Sequence, residues 1–128
     1  MKKTVFLLSA LILLAIAGCG GAKGTGTLTG KVNIGPISPV ATANATETVP
    51  CSAYAARSIV IFSADGKKEI ASASIDCDGR YGVQLAAGTY TVDINHAGID
   101  RADGLPTQVT ISANLTTRLD VSIDTGIR

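Results

Sequence analysis

The chain has 128 residues, with eleven Lys and Arg against ten Asp and Glu and a formal charge of +1. That length suits one domain with one core. The cations Lys67, Lys68, Arg80, Arg101 and Arg118 are scattered along the sequence, which argues against nucleic acid as a partner, because such binding needs clustered Lys and Arg to replace phosphate counterions.

The opening MKKTVFLLSALILLAIAGCG sets Lys2 and Lys3 before an apolar run from Val5 to Ala17, followed by small residues. This is the layout of an export signal. The run is short of the ~20 residues that span a bilayer as a helix. Its end, Ile16-Ala17-Gly18-Cys19, resembles the lipobox of bacterial lipoproteins. The resemblance implies removal of residues 1–18, a diacylglyceryl thioether on Cys19 and a palmitate-type acyl chain on the new amino terminus. One acyl chain holds only marginally, whereas two or three make a stable tether, so the membrane becomes a partner through the N-terminal lipid. A plain signal peptide that ends near a cysteine is the alternative. Gly20 stands where, in enteric bacteria, an aspartate favours inner-membrane retention. The expected location is therefore the bacterial cell envelope, at the outer membrane, on its periplasmic or its surface face. Cleavage would leave nine basic residues against ten acidic ones, a balance of −1.

Residues 19–26, ending GGAKGTG, read as the lipidated cysteine and a flexible linker. From Thr27 the pattern becomes short alternating segments between turn residues, the sign of an all-β domain over 27–128. Thr27 to Ile34 puts Leu28, Val32 and Ile34 on one face and Thr29, Lys31 and Asn33 on the other. The stretch 35–56, GPISPVATANATETVPCSAYAA, has three prolines and no period. It reads as a long insertion, functional or merely mobile.

Arg57 to Ser63 contains Ile59-Val60-Ile61-Phe62, apolar on both faces, as in a strand covered on both sides. The preceding insertion is the expected cover, with a partner protein as the alternative. Asp65-Gly66 predicts a hairpin turn, Lys68 to Ile75 a weaker strand, and Asp78-Gly79 a second turn. Arg80 to Leu85 follows with Tyr81, Val83 and Leu85 inward, then Thr89 to Asn95 with Tyr90, Val92 and Ile94 inward. After the polar loop HAGIDRADGLP come Thr107 to Ser112 and a last strand with Leu119, Val121 and Ile123 inward. Seven short strands predict an antiparallel two-sheet sandwich of prealbumin-like or immunoglobulin-like type.

The run DGRYGVQLAAGTYTVDI, with GTLTGKV before it and VTISANLTTRLDVSI after it, resembles carboxypeptidase-regulatory-like and transthyretin-like (prealbumin-like) sandwich domains. The resemblance spans most of Thr27 to Ile123 and departs at Ala86-Ala87, where a proline is common, and at the insertion. It implies a fold rather than an activity, because this sandwich hosts many roles. Hydroxyisourate hydrolases of the transthyretin-like group use several histidines and a terminal Tyr-Arg-Gly-Ser. This chain has one histidine and ends Asp124-Thr-Gly-Ile-Arg128, which excludes that enzyme.

With Cys19 lipidated, Cys51 and Cys77 remain as an even pair in an oxidising compartment, for which a disulfide is the default. In SIDCDGRYG, Asp76 and Asp78 would raise the Cys77 pKa, against a reactive thiol. Calcium would need more oxygen ligands than these residues supply. A Lys–Asn isopeptide, as in collagen-adhesin B-type domains, would need an inward lysine on the first strand, and alternation points Lys31 outward.

His96 is the only histidine, which excludes a histidine-rich zinc site, and nothing in the spacing fixes Asp93, Asp100 and Asp103 as carboxylate ligands. The loop cluster His96, Asp100, Arg101 and Asp103 is the densest group of functional side chains, and the expected contact surface. No nucleophile with a base and no paired acids are evident, so neither catalysis nor a cofactor is expected. The leading expectation is a non-catalytic, lipid-anchored binding or accessory module with an envelope protein partner. The alternatives are a regulator or inhibitor of an envelope hydrolase acting in trans, and a small-ligand or carbohydrate binder; the lack of Trp argues against sugar stacking.

Overall fold

A computed structural model describes residues 24–39 and 48–127. The predicted signal peptide, Cys19, the first part of the linker and the middle of the insertion (40–47) lie outside the described residues. The elements are β1 (Thr25–Gly35), α1 (Cys51–Ala55), β2 (Ser58–Ser63), β3 (Glu69–Ser74), β4 (Arg80–Ala86), β5 (Gly88–Ile94), β6 (Arg101–Ala102), β7 (Thr107–Ile111), β8 (Thr116–Arg118) and β9 (Val121–Asp124).

They form two layers. One sheet runs β4-β1-β9-β6, with β8 also paired to β1, and the other runs β3-β2-β5-β7. Alternation fixes which faces meet. Leu28, Val32 and Ile34 of β1 pack against Ile59 and Ile61 of β2, Val92 and Ile94 of β5, and Val121 and Ile123 of β9 in one core cluster. Each such residue removed from water contributes roughly 1.5–3 kcal/mol. The core thus comes from the period-2 pattern read in the sequence.

Four features depart from expectation. The segment predicted as one last strand is two, β8 and β9, because the chain breaks step at Leu119 and Asp120. There the Leu119 N–H donates to the Thr29 carbonyl (2.8 Å), and the Asp120 carboxylate accepts the Lys31 N–H (2.8 Å). Gly30 permits this approach, since a Cβ on it would lie 1.9 Å from the Leu119 oxygen. The Tyr81 hydroxyl also donates to the Leu119 carbonyl (2.5 Å), and burial, with Asp120 nearby, pushes its pKa up to about 12.

Secondly, β1 runs parallel to both β8 and β9, whereas the expectation was wholly antiparallel. Half-buried strands alternate alike in either direction, so periodicity could not tell them apart. Thirdly, β6 forms inside the predicted polar loop, pairing Arg101 with Asp124 and Ala102 with Ile123.

Fourthly, the described part of the insertion packs into the inner core, while Val60 on the outer face of β2 is itself buried. Ile37, Val49, Ala53 and Tyr54 join the inner cluster, to which Val60 does not belong. Part of the insertion, 51–55, is helical rather than irregular. Its one large residue, Tyr54, has somewhere better to go, against Gly79 between the sheets.

β1 crosses the domain from end to end, about 33 Å at 3.3 Å per residue. Gly24 marks one end, where its carbonyl accepts the Ala87 N–H (3.0 Å) and the Thr25 carbonyl accepts the Asn114 N–H (2.8 Å). The other end, beyond Ile34, carries α1, the β3–β4 turn and the β5–β6 loop.

Candidate functional site

Three cross-links assemble this far end. The first is the Cys51–Cys77 disulfide, which joins the start of α1 to the turn before β4. Asp76 shapes that turn more than the predicted Asp78-Gly79 pair alone. Its carboxylate accepts the N–H groups of Asp78 and Arg80, both at 2.9 Å, while Gly79 adopts φ +79°. A side chain at Gly79 would meet both the Val32 carbonyl and the Tyr54 ring. The Gly79 oxygen accepts the Val32 N–H (2.6 Å), so the turn is fastened to β1 as well as to α1.

The second link is Arg57, just before β2. Its Nε donates to Asp100 Oδ2 (2.6 Å), one terminal nitrogen donates to Asp100 Oδ1 (3.1 Å), and the other donates to the Ala53 carbonyl (2.8 Å). The guanidinium therefore ties α1 to the β5–β6 loop. Arg57 and Asp100 side chains are only 15% and 4% exposed, so this is a buried pair with bidentate geometry.

The third link is His96, held at φ +48°, a region that a non-glycine residue enters only under constraint. Its Nε2 lies 3.0 Å from Asp93 Oδ2, and its Nδ1 lies 3.4 Å from the Asp100 carbonyl. The hydrogen bond to the Asp93 carboxylate holds the imidazole pKa above its ordinary value, against a weaker opposing effect of burial.

His96 and Asp100, from the third and second links, border a cleft of about 570 Å³ that is also lined by Ile99, Arg101, Asp124 and Gly126, among others. Ile99 is 71% exposed at its edge. Of the four residues predicted for a contact surface, His96, Asp100 and Arg101 thus come together, while Asp103 is exposed outside the cleft lining. Asp100 faces inward to Arg57 rather than outward. Among the described residues no three of His, Cys, Asp and Glu gather as metal ligands. Sequence reading missed Arg57 altogether, since a partner 43 residues away leaves no local pattern. The arrangement offers a braced cleft with a cation, an imidazole and an apolar edge, suited to holding a polar group.

No protein-family model matches the chain, and no curated protein matches it in sequence. Solved structures do resemble it. GBS52, the minor pilin of Streptococcus agalactiae, superimposes at a TM-score of 0.57 with 13% identity over 80% of this chain and 45% of that one. The TIE protein of Bacillus anthracis gives 0.50 and 14% identity, over 79% of this chain and 16% of that one. A DUF3823 family protein from Parabacteroides merdae gives 0.47 and 16% identity, over 78% and 46%. The chain thus spans less than half the length of each of these proteins. At such identities the likeness concerns the fold, and the fold is the all-β two-sheet sandwich also found in a bacterial pilin.

Proposed function

We propose that the chain is a lipid-anchored binding or accessory module of the bacterial envelope, without chemistry of its own, that presents its cleft to a protein partner. The observation that supports this reading is polarity. Gly24 lies at one end of β1, and the cleft with its three cross-links lies at the other. A lipid on Cys19 leaves at most about 18 Å of extended chain before Gly24. The plain end is then held near the bilayer and the braced end points away. Loops on a rigid scaffold are the usual seat of recognition, and the two-sheet sandwich of pilins is a precedent for such scaffolds at a bacterial surface.

Two measurements test the proposal. Metabolic labelling with a palmitate analogue should mark the chain and be lost in Cys19→Ala; an unlabelled wild-type chain refutes the anchor. Photo-cross-linkers placed in living cells at Ile99 and at Leu115, both exposed, should give a discrete protein adduct at Ile99 and lipid adducts at Leu115. Identical patterns at the two ends refute the polarity.

A further inference from the structure

The outer face of the five-stranded sheet carries a second feature, on neither end of the sandwich. Register sets Lys31 of β1 directly across from Arg80 of β4, and sets Thr29, two residues earlier on the same face, beside Arg118 of β8. Like charges directly opposite each other destabilise a strand pair. Yet these three cations, with Thr29 and Gly30, line one notch of about 260 Å³.

One carboxylate answers them. Asp120 accepts Arg118 Nε at 3.1 and 3.3 Å through its two oxygens, and also accepts the Lys31 backbone N–H. Backbone and guanidinium together hold its pKa below the ordinary carboxylate value. Because Arg118 spends only Nε on Asp120, its two terminal amino groups make no hydrogen bond among the described residues. The same holds for the Lys31 ammonium and the Arg80 guanidinium. Asp76, in the turn before Arg80, directs one oxygen to the backbone N–H groups of Asp78 and Arg80.

The floor beneath these groups is fixed. The Thr29 hydroxyl donates to the Tyr81 carbonyl (2.8 Å), the Tyr81 hydroxyl donates to the Leu119 carbonyl (2.5 Å), and the Leu119 N–H donates to the Thr29 carbonyl (2.8 Å). The strands that carry the cations are therefore set before any ligand arrives, which lowers the ordering cost of binding.

From this juxtaposition we infer that the notch is a binding site for a phosphate group of the monoester type. Three cations against one carboxylate leave two positive charges in excess, and a phosphomonoester carries about −1.5 to −2 at neutral pH. Two arginine forks with a lysine beside them are the donors that grip tetrahedral oxyanions. A monocarboxylate would leave part of this charge unmatched. The phosphate is either free in solution or on a lipid headgroup, and one experiment separates the two. The site does not depend on the anchor or on the cleft.

The test uses the full chain in a nonionic detergent at low ionic strength, titrated with inorganic phosphate and, separately, acetate, while the arginine Nε–H resonances are followed by NMR. Saturable shifts at Arg80 and Arg118 are expected with phosphate, weaker with acetate by about tenfold or more, and declining with salt. The double variant Arg80→Gln with Arg118→Gln alters two exposed side chains and should keep the wild-type amide spectrum while losing at least about tenfold in phosphate affinity. Sedimentation with vesicles containing phosphatidic acid, against vesicles of phosphatidylcholine, reads the second source: Arg-dependent pelleting assigns the headgroup, and its absence with phosphate shifts intact assigns the free ion. Equal binding of acetate and phosphate, shifts of equal size at Arg101, or an unchanged affinity in the double variant would overturn the site.

Discussion

At the end where the chain enters, the strands are joined by short turns, closed by bonds within the turn and, at Ala64, by the Thr91 and Gln108 side chains, which both donate to its carbonyl (3.0 Å each). Asp65 accepts the Ser63 hydroxyl and the Lys67 N–H, Gly66 donates to the Ser63 carbonyl, and Leu115 donates to the Ser112 carbonyl. At the opposite end the connections are long and irregular, and side chains hold them: a disulfide, an arginine fork and a histidine between two acceptors. The difference shows where this fold tolerates elaboration. A short turn has little conformational entropy to lose, whereas a long connection stays ordered only if something offsets that cost. The far end has these three devices and, among the described residues, also the Asn95 amide, which donates to the Ala56 carbonyl (3.2 Å).

The largest expected effect comes from cutting the fork. Arg57→Met should cost about 3–5 kcal/mol, because it leaves Asp100 buried without its counter-charge. Adding Asp100→Leu to that variant should recover part of the loss, since replacing a whole buried pair by apolar groups is far less damaging than breaking it. Denaturant unfolding measures both. A loss within about 0.5 kcal/mol, the range of ordinary surface changes, would mean the far end does not rest on this link.

Next in size is the covalent link. Replacing Cys51 and Cys77 together by alanine should cost about 3 kcal/mol on the chain-entropy account, for a sequence separation of 26. Hydrogen exchange sharpens the contrast between the ends, because protection should fall at α1 and the β3–β4 turn while the Ser112–Leu115 turn is unchanged. Uniform loss across both ends would instead make the disulfide a global restraint.

The fold was largely legible because its core obeys period 2: Leu28, Val32, Ile34, Val92, Ile94, Val121 and Ile123 are buried where alternation put them. The disulfide was legible from cysteine parity once Cys19 was set aside. What escaped depended on contacts distant in sequence or on local breaks in step. The Arg57–Asp100 pair spans two connections, β6 is held by two register pairs inside a polar loop, and the split between β8 and β9 turns on Gly30 giving way to Leu119. The loop cluster was found by density of polar residues, a measure blind to direction. It therefore grouped Asp100, which faces Arg57, with Asp103, which lies outside the cleft.

A smaller effect tests the plain end. Asn114 adopts φ +62°, a conformation that costs a residue with a Cβ about 1–2 kcal/mol and that Asn tolerates best among them. Asn114→Ala should therefore lose about 1 kcal/mol, and Asn114→Gly should lose nothing. Neither should alter cross-linking from Ile99. A change at Ile99 would show that the two ends are coupled through the sheets.

The smallest effect is the dependence of the far end on pH. Both ring nitrogens of His96 face acceptors, the Asp93 carboxylate and the Asp100 carbonyl. The imidazolium, with two N–H donors, satisfies both acceptors, and the neutral ring satisfies one. Because the folded pKa is raised above the ordinary value of 6.5, the stabilisation is fully present below that value and is lost as pH rises through the higher folded pKa. The ring is half exposed, and the Arg57 guanidinium on Asp100 adds positive charge nearby, so solvent and salt screen the effect. Protection factors of the 95–100 loop, corrected for the intrinsic exchange rate, should be higher at about pH 5 than at about pH 8. Those of the 112–115 turn should stay level, and His96→Gln should flatten the loop's response. If both ends respond alike, a general charge effect is at work; if only the far end responds, the histidine sets how firmly the cleft is held.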